Sequence, residues 1–323
     1  MANIKDVAKR ANVSVATVSR VINSKGYVNE HTKQLVLEAI AELNYVPNEI
    51  ARSLYRKSSK IIGVIIPDLS NEFFNHVISG IEEIILQHGY KTMLCTSREN
   101  IEREKEYLQM FSTNKVDGLI ICSNSPDITS YINLDIPIVA LDRVITKDIP
   151  SVSADNYMGG ILAAQRLIKN NAKNIVQFRG PTTLPPANER SNGFIEILQQ
   201  DPTIRVHSVE LNYNESDALE IYKFLVTHPQ IDGIFAGSDV IAAQCIRSLK
   251  RIGRHVPHDV KVIGYDNISI GEFTDPTITT IAQPILSMGQ IAAETLFKLI
   301  NNEEINQRHI TLPVELIERE STQ

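Results

Sequence analysis

NIKDVAKRANVSVATVSRVIN, residues 3–23, reads as two short helices around a tight break. Val7, Ala8 and Ala11 fall at helical spacing on the first, Val18, Val21 and Ile22 on the second. Asn3 is placed to cap the first helix, and Asp6, three residues on, puts negative charge near the helix's positive end. Ser14 is placed to cap the second after the break at Asn12-Val13. Val15, Ala16, Thr17, Ser19 and Arg20 then remain for the second helix's other face. A third helix follows Asn29, with Leu35, Val36, Ala39, Ile40 and Leu43 as one apolar stripe. By periodicity alone this is a small helical subdomain, with or without a partner.

Charge decides between the two. Residues 1–60 carry ten Lys or Arg against five Asp or Glu, a net +5, while the whole chain is −6 and the remainder therefore −11. A basic head on an acidic body suits a phosphate-binding module that touches its partner at one end only. At 323 residues the chain exceeds the usual size of a single core, so two or three domains are expected. The segment MANIKDVAKR has no apolar h-region, and no run approaches the roughly 20 apolar residues that span a membrane. Cys95, Cys122 and Cys245 are scattered, odd in number and without metal-ligand spacing. Together these features predict a soluble, cytoplasmic protein with no membrane partner and no metal.

From Ile61 onward short apolar runs alternate with longer amphipathic stretches. Strands are expected at 61–66, 92–95, 118–121, 138–141, 174–178, 233–236 and 260–265, and helices at 71–88, 101–113, 157–169, 189–199, 215–228 and 239–252. Alternating β and α segments imply parallel sheets with helices on both faces. Two such series suggest two similar lobes, with a ligand in the crevice beyond the carboxyl ends of the strands. No G-x-G-x-x-G and no P-loop is present, so no nucleotide cofactor is expected. The domains expected are a head over 1–46, a linker over 47–60 and a body over 61–323. The linker, PNEIARSLYRKSSK, starts at a proline that stops the third helix. A short isolated helix is marginal in water, so the linker is expected to become helical only when docked.

Four stretches, IKDVAKRANVSVATVSRVIN, NYVPNEIARSL, IGVIIPDLSNEFF and ELIERES, resemble the lactose–galactose repressor family of bacterial transcription regulators along the whole chain. The resemblance implies a helix-turn-helix DNA-binding head joined by a hinge to a two-lobed α/β body of periplasmic-binding-protein type, with parallel sheets and three crossovers. It places those crossovers near Asp155-Asn156, Gln283-Pro284 and Pro313, giving one lobe of about 61–156 and 284–312 and another of about 157–283 and 313–323. It implies that the second helix enters the major groove, with Val15, Ala16 and Arg20 reading bases and Ser14, Thr17, Ser19 and Asn23 touching phosphate. The hinge, with Asn48, Ala51, Leu54 and Tyr55, would press into the minor groove, Leu54 as the apolar wedge. Tyr55 departs from the basic residue of many relatives. One short helix reads too few bases for useful specificity, so a homodimer on pseudo-palindromic operator DNA is expected.

The effector must be read from the body. Asn71, Phe73 and Phe74 lie just past the first strand, Asp142 and Arg143 end the strand IVAL, and Arg190 precedes Gly193-Phe194. Asp266 ends the strand VKVIGY, and Gln283 sits at a crossover. Aromatic faces and planar charged or amide side chains are what a hydroxyl-rich ligand needs. The set is similar to that of ribose-binding periplasmic proteins and ribose repressors, which implies a small sugar effector, ribose before others. Ser238 stands where those proteins carry Asn; serine cannot pair two groups as an amide does. That leaves a sucrose-type sugar as the alternative, and corepression by a phosphorylated carrier protein as a second regulatory mode. No G-x-S-x-G turn is present, and His255-x-x-His258 spans a proline, so the chain reads as a binding protein and not an enzyme. A transport binding protein would share the body but lack the basic head.

Overall fold

The computed structural model describes residues 2–23, 26–46, 58–98, 100–122, 134–212 and 217–323. The chain separates into two compact units, residues 1–60 and 61–323.

The first unit holds α1 (Ile4–Arg10), α2 (Val15–Asn23) and α3 (Glu30–Glu42). Asn3 forms a full capping box: its Oδ1 accepts the Lys5 and Asp6 amides, and Asp6 accepts the Asn3 amide at 2.8 Å. The break after α1 is a Schellman turn. Asn12 takes φ +50°, its N–H reaches the Lys9 carbonyl at 3.3 Å, and the Val13 N–H reaches the Ala8 carbonyl at 3.0 Å. Asparagine tolerates that left-handed backbone because its short polar side chain bonds locally. Val7, Ala8, Ala11, Val18, Val36 and Ala39 form the core, with Ile40 and Leu43 packed against it. Leu35, expected in the stripe of α3, is 37% exposed. Residues 36, 39, 40 and 43 already follow one helical line, and Leu35 points about 100° away from Val36.

The second unit holds two six-stranded sheets. One contains β1 (Ile61–Ile66), β2 (Lys91–Thr96), β3 (Gly118–Ile121), β4 (Ile138–Leu141), β5 (Ser151–Ala154) and β11 (His309–Leu312). The other contains β6 (Asn174–Arg179), β7 (Arg205–Glu210), β8 (Gly233–Ala236), β9 (Lys261–Asp266), β10 (Thr279–Ala282) and β12 (Glu315–Ile317). The strand orders are β11-β5-β4-β3-β1-β2 and β12-β10-β9-β8-β6-β7, the same winding twice. All neighbours are parallel except β10 and β12. The chain crosses from the first sheet to the second after β5, back after β10, and over again between β11 and β12, which makes three crossovers.

The helices are α4 (Glu72–Gln87), α5 (Ile101–Thr113), α6 (Asn156–Lys169), α7 (Pro185–Leu198), α8 (Asp217–Thr227), α9 (Asp239–Arg251), α10 (Ile270–Phe273) and α11 (Ile285–Ile300). Covered on both faces, GLII, IVAL and GIFA are buried throughout, the continuous apolar signature of parallel strands. The polar strands β7 (RVHSVE) and β10 (TTIA) carry no such signature. Thr279 and Thr280 are nonetheless wholly buried, because their hydroxyls donate to the Arg319 carbonyl at 2.9 Å and to Asp239 at 2.6 Å.

Two features of α7 matter for the site. It begins at Pro185, four residues before the expected Glu189, because proline in the first turn has no N–H to lose. Arg190 therefore lies inside the helix and not at its start. The helix also touches α6 backbone to backbone: a Cβ at Gly193 would stand 2.0 Å from the Tyr157 carbonyl oxygen, and one at Gly160 2.0 Å from that of Arg190. Among the described residues no helix is long and apolar enough to cross a membrane.

Candidate functional site

In each sheet the winding reverses next to the first strand of its series, between β1 and β3 and between β6 and β8. A crevice beyond the carboxyl ends of parallel strands is the expected ligand position at such a reversal. Asp142 directly follows β4 with φ +56°, and Asp266 ends β9 with φ +102°. Arg190 comes from α7, and Gln283 follows β10.

These four residues meet through a fifth. Arg190 Nε donates to Asn156 Oδ1 at 2.7 Å, and its Nη1 donates to the Gly237 carbonyl at 2.9 Å. Nη1 also lies 3.9 Å from Asp266 Oδ1, and the guanidinium carbon sits 3.8 Å from the centre of the Tyr265 ring. Gln283 Nε2 donates to Asp266 Oδ1 at 2.7 Å, leaving its buried Oε1 as an unused acceptor. Asn156 Nδ2 reaches Asp142 Oδ1 at 3.5 Å, and the Tyr265 hydroxyl reaches Asn156 Oδ1 at 3.3 Å. Asn156 and Tyr265 were not among the residues read from sequence. Their signals were slight: Asn156 stands at the first crossover, and Tyr265 precedes Asp266.

The other expected residues are placed differently. Asn71 Oδ1 caps α4 by accepting the Phe73 amide at 3.0 Å. Phe73 is buried in the lobe core and meets half-buried Phe74 edge to face at 5.2 Å. Ser238 caps α9, its Oγ accepting the Ile241 amide at 3.3 Å. Arg143 is half-buried near the carboxylate of Glu104. Across the two lobes, the Ser269 N–H and O–H donate to the two carboxylate oxygens of Glu72 at 3.1 and 2.7 Å.

Burial lifts the carboxyls of Asp142 and Asp266 to about 6, with Arg190 pulling both the other way. Both are ionised at neutral pH, so the crevice offers two carboxylate acceptors around one guanidinium. Such an array can hydrogen-bond neighbouring hydroxyls in pairs. Among the described residues no group of three His, Cys, Asp or Glu is placed to hold a metal, and His255 pairs with Asp259 at 3.3 Å.

On the head, Val15, Ala16 and Arg20 are exposed on α2. Ser14 Oγ accepts the Thr17 amide at 3.1 Å, and Asn23 Nδ2 donates to the Ser19 carbonyl at 2.8 Å. The expected hinge residues Asn48, Ala51, Leu54 and Tyr55 lie outside the described residues.

Residues 3–48 match the model of bacterial regulatory proteins of the lacI family, and residues 59–320 that of periplasmic binding proteins and sugar binding domains of the LacI family. The chain is 40% identical over 323 residues to the ribose operon repressor of Halalkalibacterium halodurans, covering 100% of this chain and 97% of that one. A LacI-type regulator from Alkaliphilus metalliredigens in complex with D-xylulofuranose is 35% identical with a TM-score of 0.76, covering 82% of this chain and 99% of that one. The lac repressor dimer bound to operator and the anti-inducer ONPF is 26% identical with a TM-score of 0.89, covering 99% of each chain.

Proposed function

The chain belongs to the LacI family of bacterial regulatory proteins, and from that membership we propose that it represses a sugar-utilisation operon and leaves its operator when a pentose binds between its lobes. The observation that carries the effector half is the Asp142–Asn156–Arg190–Asp266–Gln283 array, drawn from both sheets. Asp142 and Asp266 accept from sugar hydroxyls and Arg190 and the Gln283 amide orient them, with Arg143 and half-buried Phe74 left to meet the ligand, while buried Phe73 and the capping oxygens of Asn71 and Ser238 support the elements around the crevice. Charge-assisted hydrogen bonds of about 1.5–3 kcal/mol each bring a small polyol to micromolar affinity. Ribose is favoured by the likeness to a ribose operon repressor, and a pentose generally by the relative that holds D-xylulofuranose.

The DNA half rests on α2. Exposed Arg20 pairs two donors with a guanine edge, and Val15 and Ala16 meet thymine methyls, each contact discriminating by about 1–3 kcal/mol. Ser14, Thr17, Ser19 and Asn23 serve phosphate, and the hinge with Asn48, Ala51, Leu54 and Tyr55 serves the minor groove. Two copies act together on a pseudo-palindromic operator, as the likeness to an operator-bound dimer supports. The lobes divide as 61–156 with 284–312, and 157–283 with 313–323. The protein is a binding device that leaves its sugar unchanged.

The test is a calorimetric titration of the full chain with D-ribose. Saturable micromolar binding is expected. Binding of sucrose with no response to D-ribose would overturn the pentose, and silence toward both would overturn the sugar site.

A further inference from the structure

Asp239 begins α9 one residue past Ser238, and its carboxylate is wholly buried. One oxygen accepts the Thr280 hydroxyl at 2.6 Å, and the other accepts the Ile268 amide at 2.9 Å. The side chain lies hard against β9: a Cβ at Gly264 would stand 2.1 Å from Asp239 Oδ1, so a residue with a side chain there would displace it. What Asp239 holds is the turn Asp266–Ser269. That turn runs through φ +102° at Asp266 and +61° at Asn267, a backbone that residues with side chains rarely adopt. Thr280 Oγ1 also accepts the Asn267 amide at 3.3 Å, and Arg319 Nη2 donates to Asn267 Oδ1 at 2.8 Å.

The two ends of the turn lead to different places. Asp266 meets Gln283 and Arg190 at the crevice, while Ser269 bonds Glu72 of the other lobe. We propose that Asp239 is a positioning residue: by anchoring the Ile268 amide it fixes this turn, and so sets both the Asp266 carboxylate and the Glu72–Ser269 clasp between the lobes. Its part in sugar affinity rests on the crevice being the effector site; its hold on the turn does not. Burial and the neighbouring Asp266 charge raise the Asp239 carboxyl to about 8, with Thr280, the Ile268 amide and Arg319 opposing. Asparagine has the same size and keeps an oxygen for the Ile268 amide, while its N–H faces Thr280, whose hydroxyl can turn to accept.

The experiment compares D239A and D239N in the full chain, by D-ribose titration and by amide hydrogen exchange. D239A should weaken D-ribose binding roughly tenfold or more, while D239N stays within about threefold of the parent. The Ile268 and Ser269 amides should exchange faster in D239A and keep their protection in D239N, with Ile263 in β9 unaltered in both. Should D239A also expose Ile263, T280V replaces it, removing the hydroxyl that holds Asp239 and accepts the Asn267 amide, with faster exchange expected at Asn267 and Ile268. Parent-like affinity and protection in D239A, or a loss in D239N equal to that in D239A, overturns the proposal. If the parent binds no sugar, the effector reading fails, and exchange at Ile268 alone still decides what holds the turn.

Discussion

Arg190 owes its position to unlike contacts: an amide oxygen, a backbone carbonyl, a carboxylate and an aromatic face. Each constrains a different direction of the guanidinium plane, which suits it to meet hydroxyls on a fixed ring. R190A should therefore weaken D-ribose binding by roughly tenfold or more, measured by calorimetry, since charge-assisted hydrogen bonds are worth about 1.5–3 kcal/mol each. Unchanged affinity would remove Arg190 from the effector site. The two carboxyls predict a pH response in two opposite senses. Raised to about 6 from 3.8, Asp142 and Asp266 contribute stability that is complete below the unfolded value and lost as pH rises through about 6. Binding runs the other way, because the sugar's hydroxyls need ionised acceptors. Affinity for D-ribose should fall from about pH 7.5 to about pH 5, and a flat profile would mean that neither carboxylate touches the ligand. Asp142, Asp266 and Gln283 could be singled out in sequence because each stands next to a strand end, and Arg190 because of the Gly193-Phe194 that follows it; the structure brings the four together. Asn156, which joins them, was not, since an asparagine after a crossover reads as a helix start.

At the scale of elements, most of the strands legible in sequence were buried parallel ones, whose apolar runs follow from helices on both faces. The strands SVSA, RVHSVE, TTIA, HITL and ELI were not, being short or rich in polar residues. Their place depends on partners far along the chain: β11 pairs β5, and β12 pairs β10. The start of α7 was misplaced for another reason, that two prolines in a row look like a loop until they are counted as a first turn. The contact of α6 with α7 predicts the effect of one methyl group. G193A forces the helices apart at the Tyr157 carbonyl, and overpacking of this kind costs about 1–3 kcal/mol. Because Arg190 rides on the displaced helix, G193A should lower both the melting temperature and D-ribose affinity. A variant that melts earlier but binds as well as the parent would show that Arg190 is held by the crevice alone.

For the whole molecule the decisive expectation is reciprocity. If sugar costs operator affinity by a coupling of about 1–3 kcal/mol, operator DNA must cost sugar affinity by the same factor. Titrating D-ribose with and without saturating operator measures both sides, and equal affinity in the two titrations would end the inducer scheme. The head's charge of +5 against the body's −11 confines the attraction for phosphate to one end, and that much follows from counting residues. Local chemistry also determined the capped helices of the head and the alternation that makes two doubly wound sheets, because caps and periods act over a few residues; the three crossovers were implied only by the family resemblance. Only the tertiary structure decided which polar groups face one another. The Asp239 anchor spans 41 positions to Thr280, and the Glu72–Ser269 clasp spans 197. Such pairs leave no period in the sequence; burial favours pairing for Asp239 and Thr280, and for both pairs the fold alone says which partner is within reach.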